Sequence, residues 1–338
     1  MAERNYRVVS CEGGDQVGKG DAVITLCRKL SDSKIPFTYS SFPIYATPIG
    51  TVIRMFLKNG LEDFKFPIER ETKLKMVLYA LNRLEFLDVL LSDPKYMETL
   101  IVLDRSSFSN AVTIAYGLLK LTDCTEENIR KLVGYAMQLD GLMIRSLCLK
   151  DCVVQMVSAS QKWGNLRVKD GDINERDDVQ KLSGMVYDIY EKLVGKGWKK
   201  VVTRTEEGWK DREDIFSEIY NFVEMRHGKL GRKDFGIEYV INIEEIRQSI
   251  YPNSKVSKAD VGRYMKFLME NDKDNMYEYG IKIGRKIAKS TPNVKFNNCS
   301  VRREFRKMLN RFPEIEEIFN RYLDNGFYAK LVMGVQDE

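Results

Sequence analysis

The feature that most limits what this chain can fold into lies near its start. Tyr6–Cys11 is an apolar run that reads as a buried strand. Gly13-Gly14-Asp15-Gln16-Val17-Gly18-Lys19 follows, and it fits the pattern G-x-x-x-x-G-K. A helical pattern then runs from about Gly18 to Leu30. Strand, glycine loop and helix in that order make a cradle for phosphate. Glycines let successive N–H groups turn inward, the helix N-terminus adds positive dipole, and Lys19 reaches the outer phosphates. Gly20 and Asp21 come next, where the pattern has a Ser or Thr whose hydroxyl touches Mg²⁺. The metal is then held by water or by another carboxylate. A carboxylate about 5 Å from a phosphate charge costs roughly 3 kcal/mol at an effective dielectric near 20. Asp21 therefore turns away, contacts the metal, or weakens nucleotide binding.

The rest of the chain sets this loop in a larger pattern. Pro36–Phe42, Leu100–Leu103, Cys152–Val157 and Lys200–Thr203 read as further strands, and Thr47–Leu57 and Arg70–Ser92 as long amphipathic helices. Strands alternating with helices predict an α/β fold with a doubly wound, five-stranded parallel sheet. Between about Asn221 and Gly236, glycines among charged residues suggest a linker. Two domains are expected: residues 1–225 around the loop, and a smaller, basic, mainly helical domain over 226–338. Candidate helices in the latter are Ser257–Asn271, Ser300–Asn310 and Pro313–Asn325.

Charge supports that division. From Arg226 onward there are 22 Lys and Arg against 16 Asp and Glu. The first 225 residues hold the other 32 and 33, so they are close to neutral and the tail carries the excess. Within the tail, Lys282, Arg285, Lys286, Lys289, Lys295, Arg302, Arg303, Arg306, Lys307 and Arg311 face one acid, Glu304. Such a segment suits nucleic acid through its phosphates, or is a solvated face of a packing or dimerisation module. The six cysteines form no CxxC pair and His227 is the single histidine. That argues against a structural zinc site and against acid–base chemistry by histidine. No stretch of about 18 apolar residues suggests a membrane span, and the first ten residues lack an apolar signal core. A cytoplasmic protein is expected.

Several motifs then point one way. Glu12-Gly13-Gly14-Asp15-Gln16-Val17-Gly18-Lys19 resembles the E-G-x-D-x-x-G-K loop of thymidylate kinases. Phe42-Pro43-Ile44-Tyr45 resembles the F-P segment of that family, and Tyr79-Ala80-Leu81-Asn82-Arg83 its F-x-x-N/D-R helix. Asp104-Arg105-Ser106-Ser107-Phe108-Ser109-Asn110 resembles D-R-Y-x-x-S-N, and Asp172-Ile173-Asn174-Glu175-Arg176-Asp177 the end of the family's lid. The likeness covers roughly Arg7 to Val223 and says nothing of the tail.

The resemblance implies transfer of the ATP γ-phosphoryl group, with Mg²⁺, to a pyrimidine deoxynucleoside monophosphate such as dTMP. Such transfer needs positioning and charge neutralisation rather than a strong base. The implied ATP-binding residues are Gly13, Gly14, Asp15, Gln16, Val17, Gly18, Lys19, Gly20 and Asp21. Arg105 grips the acceptor phosphate. Tyr79 and Arg83, four apart on one helix face, hold the base, with Phe42, Tyr45 and Ser109 near the acceptor. Asn110 meets the pyrimidine edge, or else caps a helix. The lid, about Ser160–Arg176, supplies Arg167 and Arg176, while Asp15 and Glu175 are metal or sugar contacts. Relatives pair through helices of this domain, so a homodimer is expected. Ser106 and Thr113 depart from the family pattern, where an aromatic residue is usual. A smaller residue than usual at Thr113 relaxes the choice between ribose and deoxyribose. Two alternatives stay open: a degenerate kinase fold that binds nucleic acid or a protein partner, and a kinase for a larger acceptor such as a nucleic-acid end.

Overall fold

The structure is a computed structural model. It describes residues 6–14, 17–59, 64–159, 177–231, 239–240, 282–289, 294–323 and 326–334. The expected helix at Ser257–Asn271 and the lid at Ser160–Arg176 lie outside the described residues.

The fold is α/β, around one mostly parallel sheet. Its strands are β1 (Arg7–Glu12), β2 (Phe37–Ser41), β3 (Leu100–Asp104), β4 (Val153–Ser158) and β5 (Trp198–Thr205). Two short edge strands, β6 (Gly208–Trp209) and β7 (Tyr239–Val240), extend it to the order β6-β5-β4-β1-β3-β2-β7. All pairings are parallel except β5 with β6. Among the described residues the sheet thus has seven strands instead of the expected five. The five expected strands are all there; the two additions are two residues long, too short to leave an apolar run in the sequence. The inner strands β1 and β3 are buried almost throughout, as parallel strands covered on both faces must be.

Chain contacts divide the molecule into two compact units. The first joins Met1–Ser41 to Lys95–Val240 and contains the whole sheet. Helices α1 (Lys19–Asp32) and, further along, α8 (Arg212–His227) share one core with the sheet: Val23, Leu26 and Leu30 meet Val9, Val102, Val154, Ile219 and Phe222. Each such buried aliphatic or phenyl side chain is worth about 1.5–3 kcal/mol. Helices α4 (Asn110–Leu121), α5 (Glu126–Leu139) and α7 (Asp177–Val194) pack on one another, and α6 (Gly141–Ser146) follows α5. Phe108 lies edge-on to both Tyr190 and Trp198 beneath them. Helix α8 continues to His227 and ends at Gly228, which takes φ 74°. The first part of the expected linker, Asn221–His227, is therefore helix; the acidic start and basic end of α8 favour its dipole.

The second unit joins Phe42–Pro94 to Ile241–Glu338. It holds α2 (Pro48–Asn59), α3 (Ile68–Ser92), a helix α9 at residues 282–289, α10 (Cys299–Arg311), α11 (Glu314–Tyr322) and α12 (Phe327–Gly334). The units do not follow the expected division at residue 225: the described C-terminal residues group with α2 and α3. The cause is visible in α3, which is buried around most of its circumference and so needs cover on several sides. Asp88 of α3, fully buried, accepts the backbone N–H groups of Asn297 (3.0 Å) and Asn298 (2.7 Å). Arg70 forms a fork to Glu314, with nitrogen–oxygen distances of 2.6 and 2.8 Å, and its guanidinium lies 4.8 Å from the Phe312 ring centre. Among the described residues, no helix is long and apolar enough to cross a membrane.

Candidate active site

The loop leaves the end of β1, the middle strand of the sheet, and runs into α1. Asp15 and Gln16 lie outside the described residues; Gly13, Gly14, Val17, Gly18, Lys19 and Gly20 are described. Gly13 has φ 145° and Gly18 φ 76°, conformations that cost an L side chain strain. A Cβ on Gly13 would come within 2.7 Å of the Met156 carbonyl oxygen on β4. One on Gly18 would meet the Trp209 ring at 2.9 Å. The loop is narrow because its neighbours press on it.

Those neighbours also fix its shape. Thr203 on β5 donates to the Val17 carbonyl at 2.6 Å. Tyr187 on α7 donates to the Gly13 carbonyl at 3.3 Å, and its complete burial pushes its hydroxyl far above the usual tyrosine range, so it stays a neutral donor. Gln180, also on α7, occupies the space a side chain on Gly14 would need. These anchors hold described loop backbone in place before any ligand binds, which reduces the ordering cost of binding.

Lys19 opens α1, and its ammonium pairs with the carboxylate of Asp104 at the end of β3, both side chains nearly buried. Ser41 donates to the other Asp104 oxygen at 3.4 Å. Arg105, one residue further, has φ 73°. Its N–H bonds to the Cys11 carbonyl at 2.9 Å, carrying the β1–β3 pairing one residue past Asp104. A non-glycine residue in this left-handed conformation costs on the order of 1–2 kcal/mol. Here it sits at the carboxyl ends of parallel strands, where open α/β sheets bind ligands.

Sequence reasoning did not single out Glu12. It is fully buried at the end of β1. The hydroxyls of Ser10 and Ser106 reach its Oε1 at 2.8 and 2.6 Å, and that of Ser109 donates to Oε2. A buried carboxylate needs such donors. Ser106 thus has a use where the family pattern has tyrosine: it joins β1 to the turn after β3. Ser109 is committed to the same carboxylate. The polar residues around the turn, Ser10, Ser106 and Ser109, were the available signal.

Asn110 begins α4 and is buried. Its amide N–H groups bond to the Ser107 carbonyl (3.1 Å) and to Asp140 (3.2 Å), while among the described residues Oδ1 has no hydrogen-bond partner. What it has left to offer is an acceptor. Thr113 is half-buried on α4. Asp21 is exposed in the first turn of α1. Gly20 supplies no hydroxyl.

The remaining predicted residues belong to the second unit or lie outside the described residues. Phe42 is core, edge-on to Phe86 at 5.2 Å between ring centres. Tyr79 is half-buried and edge-on to Phe56 at 5.9 Å; Arg83, one turn on, is buried, and Tyr45 is half-buried. Between them Asn82, fully buried, braces the segment after Phe42. It accepts the Ile44 N–H at 2.7 Å and donates to the Ile44 carbonyl, Thr47 and Glu85. Arg167, Glu175 and Arg176 lie outside the described residues.

The narrow glycine cradle fits the phosphates of a nucleotide. For Mg²⁺, which takes one or two carboxylates and keeps several waters, Asp104 is the described carboxylate beside Lys19. Among the described residues no three His, Cys, Asp or Glu gather as a metal site.

The arrangement is that of a phosphate-binding loop on a parallel sheet. No protein-family model matches the chain, and no curated protein matches it. Among solved structures it is similar to a thymidylate kinase from Candida albicans, described as having broad substrate specificity. The identity is 16%, over 66% of this chain and 93% of that one, with a TM-score of 0.46. A likeness of that size assigns no function, which is read instead from this chain's own residues.

Proposed function

We propose that the chain transfers the γ-phosphoryl group of ATP to a pyrimidine deoxynucleoside monophosphate, dTMP or a close relative, on a doubly wound fold of the P-loop kinase type. The observation that carries this reading is the buried Lys19–Asp104 pair beside a glycine loop with no room for side chains. Loop N–H groups and Lys19 bind the donor phosphates and neutralise charge that builds up during transfer. Arg105, at the strand end, holds the acceptor phosphate. The acceptor oxygen is already ionised near pH 7, so no general base is required. Mg²⁺, when bound, would be held by Asp104 among the described residues and would offset charge on the donor phosphates. Asn110 offers its Oδ1 acceptor to a pyrimidine N–H, either N3–H of thymine or uracil or the amino group of cytosine. Tyr79, Arg83, Arg167 and Arg176 enter this reading by the sequence resemblance alone. A coupled assay with ATP, Mg²⁺ and a panel of nucleoside monophosphates tests it. Turnover of dTMP or a related pyrimidine monophosphate is expected; no turnover of any monophosphate would refute it.

A second reading concerns the tail. On α9, Lys282, Arg285, Lys286 and Lys289 are exposed while Ile283, Ile287 and Ala288 are buried. The spacing i, i+3, i+4, i+7 puts four cations on one face with no acid between them. We propose that this face binds nucleic acid through its phosphate backbone. Four neutralised phosphates predict a log–log salt slope near about −3. A slope unchanged by alanine at all four positions would remove α9 from the account.

A further inference from the structure

We infer that Glu12 is a positioning residue: its buried carboxylate clamps the turn after β3 and so aims Arg105 at the acceptor phosphate. The inference rests on Arg105 binding that phosphate, as proposed above, and adds what holds it in place.

Arg105 has to be held. Its φ of 73° is left-handed, a conformation that a non-glycine residue keeps only when its surroundings impose it. Two neighbouring residues of β1 do so. The Cys11 carbonyl accepts the Arg105 N–H at 2.9 Å. Glu12, the next residue, accepts the hydroxyl of Ser106, one position after Arg105, on Oε1 at 2.6 Å. Its Oε2 accepts the hydroxyl of Ser109, the last residue of the 3₁₀ turn Ser107–Ser109. Both ends of the turn are therefore tied to one carboxylate. The Ser10 hydroxyl completes the set, 2.8 Å from the same Oε1 and 2.7 Å from that of Ser106.

Glu12 and Ser106 are fully buried, so water does not compete for these bonds. Glu12 also leads directly into Gly13, whose carbonyl accepts from Tyr187 at 3.3 Å. Burial does most to raise the Tyr187 hydroxyl; Glu12 adds to the rise and the Arg105 cation opposes it. Both charges thus act on one small region. One side chain links the start of the phosphate loop to the residue proposed for the acceptor. In the family pattern position 106 is a tyrosine, whose hydroxyl stands a whole ring further from the backbone. The clamp is therefore particular to this sequence.

The test is equilibrium binding of dTMP to the wild-type chain, Glu12→Gln, Arg105→Ala and the double variant. Glutamine keeps the length of the side chain but replaces one acceptor oxygen by an N–H donor. Glu12→Gln should weaken dTMP about tenfold, the effect of misdirecting one charge-assisted hydrogen bond. Inorganic tripolyphosphate, which needs only the loop, should bind unchanged. In the Arg105→Ala background, Glu12→Gln should alter dTMP affinity by less than about twofold, because nothing is left to aim. An equal loss in both backgrounds would assign Glu12 a merely structural role and overturn the inference. Wild-type dTMP affinity in Glu12→Gln would overturn it too. Ser106→Ala, which removes one donor and keeps the carboxylate, should show a several-fold loss with the same dependence on Arg105. It decides the question if Glu12→Gln does not fold. A wild-type chain that does not bind dTMP, or an Arg105→Ala variant that binds it unchanged, would overturn the acceptor reading and this inference with it.

Discussion

Lys19 and Asp104 meet as a nearly buried ion pair between the first residue of α1 and the last residue of β3. The lysine that the loop pattern aims at phosphate is held by a carboxylate instead. A phosphate entering the loop must take the ammonium from Asp104, so binding is an exchange of one anion for another. Breaking a buried pair by removing one partner is costly because the other charge stays behind.

That exchange predicts the effect of Asp104→Asn. Without the competing carboxylate, inorganic tripolyphosphate should bind about tenfold tighter in metal-free buffer, roughly 1.4 kcal/mol. Calorimetric titration measures it. Unchanged affinity would mean that the pair does not compete with the ligand.

Asp21 is exposed, so water screens its repulsion of phosphate. At the dielectric of water the cost of a charge a few ångströms away is about 1 kcal/mol. Asp21→Thr should therefore tighten ATP by no more than several-fold and leave turnover within about threefold. A large loss of turnover in this variant would show that Asp21 belongs to the metal site.

Asn82 satisfies the Ile44 N–H and carbonyl, Thr47 and Glu85 from one fully buried amide. Asn82→Ala removes the acceptor of the buried Ile44 N–H, a loss worth about 1–3 kcal/mol. A loss in that range is expected in urea unfolding. A loss under about 1 kcal/mol would show that the brace is dispensable.

Glu314 is held below the usual glutamate range, chiefly by its hydrogen bonds from Arg70. A carboxyl depressed on folding adds stability that is present above its unfolded value, about 4.3, and is lost as pH falls through its lower folded value. The wild-type chain should therefore be more stable than Glu314→Gln at pH 7, and the gap should close on acidification below about pH 4. A gap that persists at acid pH would assign it to packing.

The loop was legible in sequence because its demands are local: a strand, glycines at fixed spacing, then a helix. Strands β1, β3 and β4 were legible for the same reason, being largely apolar runs, while β2 and β5 mix apolar with polar residues. What could not be read depends on distant residues. Nothing near Lys19 names Asp104, 85 positions away. Nothing near Asp88 names Asn297, so the tail was expected to stand apart from α3. The amphipathic reading of Arg70–Ser92 failed because Asn82, Arg83, Glu85 and Asp88 are polar yet buried. Trp209 escaped notice because its strand has two residues.

The most direct test of the central claim is turnover of dTMP with ATP and Mg²⁺ by the wild-type chain and by Lys19→Ala. The account predicts steady product formation by the wild type and a loss of more than about 10²-fold in the variant, the cost of removing a charge aimed at the transferring group. Near-normal turnover in Lys19→Ala, or none in the wild type, would contradict it.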